Sequence, residues 1–213
     1  AETAAQFLEW SGSQLNLQGL KNISSEVAGN LAGWDPGPGY SVLDLGGLEE
    51  LDVKVAEQLR KWKGYSIWLM SLKGVTLDTA KALGSWSGNM LYLRGIKKLE
   101  PQIAAIIGTW KVKSLVLDGL EILEADVAKH LRRWPGRRLS LDGLEKLGED
   151  SARFLALWPG EELSLKGVLR FQPAIAKALS QWRGGRLYLD GVQQLSPKAA
   201  KWLSKWRPRN SFS

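Results

Sequence analysis

Tryptophan keeps time along this chain of 213 residues, standing at Trp10, Trp34, Trp62, Trp86, Trp110, Trp134, Trp158, Trp182 and Trp206. Seven of the eight intervals are 24 residues long, and the eighth, Trp34 to Trp62, is 28. A period this strict restricts the chain to copies of one small unit stacked in order. A unit of that size cannot bury an apolar face alone, so each copy must be covered by its neighbours.

The unit that begins at Trp110 serves as template. Leu115 and Leu117 follow as Leu-x-Leu, then Gly119, Leu120, Leu123, Ala128 and Leu131, before Trp134 opens the next unit. Down the units the first column reads Leu15, Leu43, Ile67, Leu91, Leu115, Leu139, Leu163 and Leu187, and the second is leucine in all eight, from Leu17 to Leu189. The glycine column is broken only by Ser71, and the alanine column, Ala28 to Ala200, is unbroken. The second unit joins the pattern once four residues are set aside as an insertion in the stretch 35–40, a Pro-Gly segment that reads as a tolerated loop.

Leu-x-Leu alternates with period two, the mark of a strand with one buried face. From the fourteenth position the apolar residues fall at i, i+1 and i+4, which is helical spacing. Ser24, Asp52, Thr76 and Ser196 stand where a helix N-cap would accept backbone N–H groups, with Glu100, Glu124, Gly148 and Gln172 in the same column. Pro101, Pro173 and Pro197 come next, at a first helical position that needs no N–H. Gly12, Gly64, Gly88, Gly136, Gly160 and Gly184, two residues after a tryptophan, are expected to take the left-handed conformation that closes a helix.

The predicted fold is therefore an α/β solenoid of eight 24-residue strand-turn-helix repeats. One parallel sheet is backed by a helix layer, over a single domain spanning residues 1–206. Residues 1–10 form an N-terminal capping half-repeat and 207–213 a C-terminal tail. Eight strands about 4.8 Å apart make a sheet roughly 34 Å wide. The alanine column marks the closest approach of helix and sheet, and the boundary tryptophans read as a structural ladder.

Composition narrows the chemistry. The chain has no cysteine and one histidine, His130, which excludes disulfides, thiolate sites and multi-histidine metal centres. His130 reads as a surface residue without a matched nucleophile. Asp118, Asp142 and Asp190 share a column, interrupted by Lys166, and read as solvated aspartates rather than calcium ligands. No phosphate loop, nucleotide fingerprint or zincin motif is present, so no enzyme, metal or cofactor is expected. At 44% hydrophobic the chain is globular, and no apolar run approaches the roughly 18 residues of a membrane span.

The Leu-x-Leu-x-Gly-Leu-x-x-Leu core followed by a short helix resembles the leucine-rich-repeat (LRR) proteins of bacteria, in their short-repeat variety. The resemblance covers nearly the whole chain. Departures are the missing asparagine of the usual ladder, whose general place is taken by Leu20, Leu48 and Leu72, and the tryptophan at each boundary. The resemblance implies a non-enzymatic domain that binds other proteins through the exposed face of its strands.

With Leu115 and Leu117 inward, residues 114, 116 and 118 and their equivalents point outward. Trp68 and Tyr92 are then neighbours on adjacent strands, flanked by Met70, Met90, Arg94 and Val116. Aromatic, methionine and arginine side chains together favour the centre of a protein interface, so these six are the predicted partner-binding residues. The alternative is a basic patch for nucleic acid or another anionic polymer at Arg132, Arg133, Arg137 and Arg138, in a chain of net charge +7. A third possibility is a structural spacer within a larger protein. Trp202, off the ladder, is read as covering the open end of the last helix. The protein partner is unidentified from sequence, and the solenoid is expected to be a monomer. The chain starts at Ala1 with neither initiator methionine nor apolar leader, which fits a removed leader or an excised piece. Absence of cysteine leans the reading to a bacterial envelope or secreted protein, while fitting a cytosolic one equally.

Overall fold

A computed structural model gives the structure of residues 11–209. The capping half-repeat expected at 1–10 and the last four residues of the expected tail lie outside the described residues.

The first residue of each Leu-x-Leu centres a three-residue strand, with the second leucine just beyond it: β1 (Gln14–Asn16), β2 (Val42–Asp44), β3 (Ser66–Trp68), β4 (Met90–Tyr92), β5 (Ser114–Val116), β6 (Arg138–Ser140), β7 (Glu162–Ser164) and, after a short β8 (Arg170–Phe171), β9 (Arg186–Tyr188). Eight of them pair in parallel in chain order, β1 to β7 then β9. The register sets each residue beside its equivalent one repeat on, as Leu91 beside Leu115 and Trp68 beside Tyr92. A second parallel pair, β8 with β10 (Gln194–Leu195), lies at the turns of the last two units and was not signalled by any alternation.

Among the described residues the helices are α1 (Ser25–Gly33), α2 (Val53–Leu59), α3 (Leu77–Gly84), α4 (Pro101–Ile107), α5 (Ala125–Leu131), α6 (Glu149–Leu155), α7 (Pro173–Leu179) and α8 (Pro197–Leu203). Side-chain caps form where the sequence offers a short acceptor: Ser24, Asp52, Thr76 and Ser196 each accept a backbone N–H of the first turn. Glu100, Glu124, Gly148 and Gln172, in the same column, make no such bond. Seven alanines of the invariant column, Ala28 to Ala176, are wholly buried between the layers.

The tryptophans form a stack along the solenoid. Neighbouring rings lie 5.8–6.2 Å apart and within 8° of parallel for the pairs Trp62–Trp86, Trp134–Trp158, Trp158–Trp182 and Trp182–Trp206. Indole Nε1 of Trp86, Trp158, Trp182 and Trp206 each donates to the backbone oxygen of the preceding tryptophan, at 2.9–3.1 Å. This explains the glycines two residues on, and corrects the expectation for them. Among the described residues positive φ occurs only at Gly37 and Gly39, in the insertion. At Gly64, Gly88, Gly136, Gly160 and Gly184 a Cβ would stand 2.0 Å from Cζ2 of the tryptophan two residues earlier. The glycine leaves room for a ring folded back over its own backbone; it does not supply a left-handed turn.

Trp110 departs from the stack. Its position two residues on is Val112, buried, and the ring turns instead onto Gly84 and donates to the backbone oxygen of Ala80 at 3.0 Å. The next indole, Trp134, has no acceptor for its Nε1.

Candidate functional site

The strand face of the second to fifth units carries an aromatic cluster. Trp68 and Tyr92 stand side by side because β3 and β4 pair in register, and their rings meet edge to face at 5.3 Å and 61°. Ser66, two residues back on the same face, accepts the Trp68 Nε1–H at 2.9 Å and fixes the indole. The Pro-Gly insertion ends in Tyr40, which packs on Tyr65 at 5.1 Å and remains 52% exposed. Tyr65 is in turn held by its N–H donating to Ser41 Oγ at 2.8 Å. Sequence reasoning missed both tyrosines. The signal was a tyrosine closing the only insertion, at the position where most units carry glycine.

Met70, Met90 and Tyr92 are half-buried and Arg94 is exposed. A Cβ on Gly46 would come within 3.3 Å of Met70 Cγ, so Met70 lies across the neighbouring strand. Val116, expected on the surface, is only 7% exposed, and the outward-facing Val42, Asp44 and Ser66 are covered as well. Alternation fixes which face a side chain is on; the large rings beside it then decide whether it stays wet. Burial raises the Tyr92 phenol above its ordinary range, with the nearby Tyr40 and Asp118 adding to it and Arg138 and Arg94 opposing.

Beyond Val116 the same face becomes polar and tied down. Asp118 Oδ1 accepts the Ser140 hydroxyl at 2.5 Å and the Asp142 N–H at 3.1 Å. Asp142 repeats this one strand on, with Ser164 and the Lys166 N–H at 2.6 and 3.0 Å. These aspartates are structural acceptors that staple adjacent strands rather than the solvated groups expected, and among the described residues no three carboxylates or imidazoles gather as a metal site. Arg94 Nε lies 3.5 Å from Asp118 Oδ2, joining the aromatic and polar halves.

The four arginines of the basic alternative do not form one free patch. Arg137 makes a two-point contact with Glu161 at 2.9 and 2.6 Å, and Arg138 binds Glu162 at 2.7 Å, with Arg186 on the other carboxylate oxygen at 2.6 Å. The Arg138 hydrogen bond holds the Glu162 carboxyl below its usual range. Arg132, at the end of α5, donates to Lys129 O and sits 5.8 Å from the Phe154 ring. Arg133 is exposed. His130 is half-buried rather than on the surface, and its Nδ1 is enclosed without a hydrogen-bond partner. Trp202 is held between the ammonium groups of Lys177 and Lys205, at 5.4 and 4.4 Å.

Two depressions of about 1090 and 790 Å³ lie on another edge, where turns enter helices around Leu51 and around Leu123. Neither takes in a residue of the aromatic cluster, which sits on a sheet face and not in a pocket. Among the described residues no helix is long and apolar enough to cross a membrane.

No family model matches the sequence, and no curated protein sequence matches it. The fold does find a counterpart. The crystal structure of the leucine-rich repeat-containing protein LegL7 from Legionella pneumophila superposes with a TM-score of 0.64 at 15% identity, covering 93% of this chain and 72% of that one. With eight in-register parallel strands among the described residues, each followed by a short helix, this chain has the leucine-rich-repeat fold.

Proposed function

We propose that the chain is a non-enzymatic protein-binding solenoid that engages its partner on the strand face around Trp68, Met70, Met90, Tyr92 and Arg94, with Val116 as part of the floor. One observation carries the reading: an aromatic pair locked edge to face on a rigid sheet, with Tyr40 projecting beside it. Rings held by packing and by the Ser66 hydrogen bond lose little freedom on binding, so their contact area converts efficiently into affinity. The cluster's position on an open face favours a macromolecular surface over a small molecule, which a concave pocket would suit better. The leucine-rich-repeat fold is consistent with such a role. The basic alternative has less support, because Arg137 and Arg138 are already neutralised by glutamates.

The test compares wild type with the double variant Trp68→Ser, Tyr92→Ser, after matching melting temperatures, in affinity capture from cells of the source. A protein retained by wild type and lost by the variant supports the face. Equal capture by both removes it.

A further inference from the structure

The outward side of the helix layer repeats as strictly as the core does. One column reads Lys129, Arg153, Lys177 and Lys201, and the next residue of each helix gives His130, Phe154, Ala178 and Trp202. Because α5 to α8 pack side by side in chain order, a 24-residue step in sequence is one step across this face. The four cations therefore form a row, spaced by the 8–10 Å or so that separates packed helix axes, with the second column beside it. All four are exposed, so the core makes no demand on their identity.

Most of this charge is uncompensated. Arg153 is bound by Glu149 and Asp150 of its own helix. Lys129, Arg132, Arg133, Lys177, Lys201 and Lys205 make no ion pair among the described residues. Apolar groups stand between them: Leu157, just past α6, is 61% exposed, and Ile106, Phe154 and Trp202 are half-buried. Lys177 and Lys205 lie over the Trp202 ring and Arg132 over that of Phe154, so cation and ring share one surface.

We propose that the outer face of α5 to α8 docks peripherally on an anionic lipid surface. Charge complementarity selects the partner's sign, and the apolar groups select a bilayer interface over a nucleic acid. Phosphates of a nucleic acid would meet the cations but leave Leu157 and Ile106 in water, and the rings a base could stack on are already occupied by Arg132, Lys177 and Lys205. At a bilayer interface the cations meet the headgroups, and Leu157 and the ring edges enter the layer beneath. The face runs along the side of the stack, so it stays open whatever adjoins either end of the solenoid. It lies on the opposite side of the sheet from the aromatic cluster and is independent of it.

Cosedimentation of the purified chain with phosphatidylcholine vesicles, alone or with about 30% phosphatidylserine, tests this. Wild type is expected to bind the anionic vesicles only, and to bind more tightly at about 20 mM than at about 500 mM salt. Lys129→Gln, Lys177→Gln, Lys201→Gln together should bind about a hundredfold more weakly, roughly fivefold for each cation removed. The control Lys113→Gln, Lys146→Gln, Lys166→Gln has the same net charge but alters the strand and turn sides, and should keep most of the binding. Leu157→Ser should melt as wild type does yet lose vesicle binding severalfold. The Trp68→Ser, Tyr92→Ser variant should bind as wild type does. Failure of wild type to bind anionic vesicles overturns the proposal, as does a loss in the control as large as in the triple variant. Displacement from vesicles by single-stranded RNA, with Leu157→Ser binding unchanged, would overturn it too and assign the row of cations to a polyanion.

Discussion

At Gly64 the space a side chain would need is filled by the indole of Trp62, folded back over its own chain. Gly64→Ala should therefore destabilise the protein by about 1–3 kcal/mol, the usual cost of overpacking. Gly74→Ala, where nothing lies within 4 Å, should be neutral or stabilising by up to about 1 kcal/mol. Urea denaturation of the two variants side by side checks the contrast. In the sequence both are simply glycines near a helix end. The periodic column at Gly64 was visible, but periodicity cannot tell a residue needed for its dihedral freedom from one needed for its smallness. Ala128 is less ambiguous: invariant and wholly buried between sheet and helix, it should lose about 1–3 kcal/mol on change to leucine, measured the same way.

Between elements, the tryptophan stack and the carboxylate staples tie one unit to the next. Trp110 shows how sequence directs the stack: Val112 denies its ring the usual seat, and Gly84 offers another. Gly84→Ala alone would put a Cβ 2.3 Å from Trp110 Cδ1, in a ring with nowhere to go. Adding Val112→Gly reopens the usual seat, so the double variant should be more stable than the sum of the single changes allows, and near-ultraviolet circular dichroism should show stronger coupling between indoles. Glu162 links β6, β7 and β9 through Arg138 and Arg186. Its carboxyl is held low in the fold, so its contribution is complete above the ordinary carboxylate range and is lost as pH falls through that range toward the depressed value. Glu162→Gln should flatten the acid side of the stability profile, read from thermal melts between pH 3 and 7, and should leave neutral-pH melts lower than wild type.

For the whole molecule, the columns were enough to read the architecture. Leu91 beside Leu115 and the seven buried alanines follow directly from a 24-residue repeat, because one register satisfies every unit at once. Trp68 and Tyr92 were legible as neighbours for the same reason. Tyr40 was not, since it replaces the glycine of its column beside an insertion whose path the repeat does not fix, and neither was the burial of Val116, which depends on ring sizes on other strands. The small β8–β10 pair also escaped, being two residues long and formed from a turn. The face described by these side chains occupies the N-terminal half, and the ion-paired ladder the C-terminal half, so one sheet presents two chemistries to whatever approaches it.

Considered as a mechanical object, a stack of repeats shares load through its inter-repeat contacts, and the weakest rung decides where it parts. Here the indole column is interrupted at Trp110, where neither neighbouring tryptophan stacks on the ring, and the following indole lacks its acceptor. A molecule pulled from its two ends should yield first at that rung, giving a half-length intermediate in a force–extension trace. The fold thus has a built-in fracture plane near its middle, placed there by a valine where its neighbours have glycine.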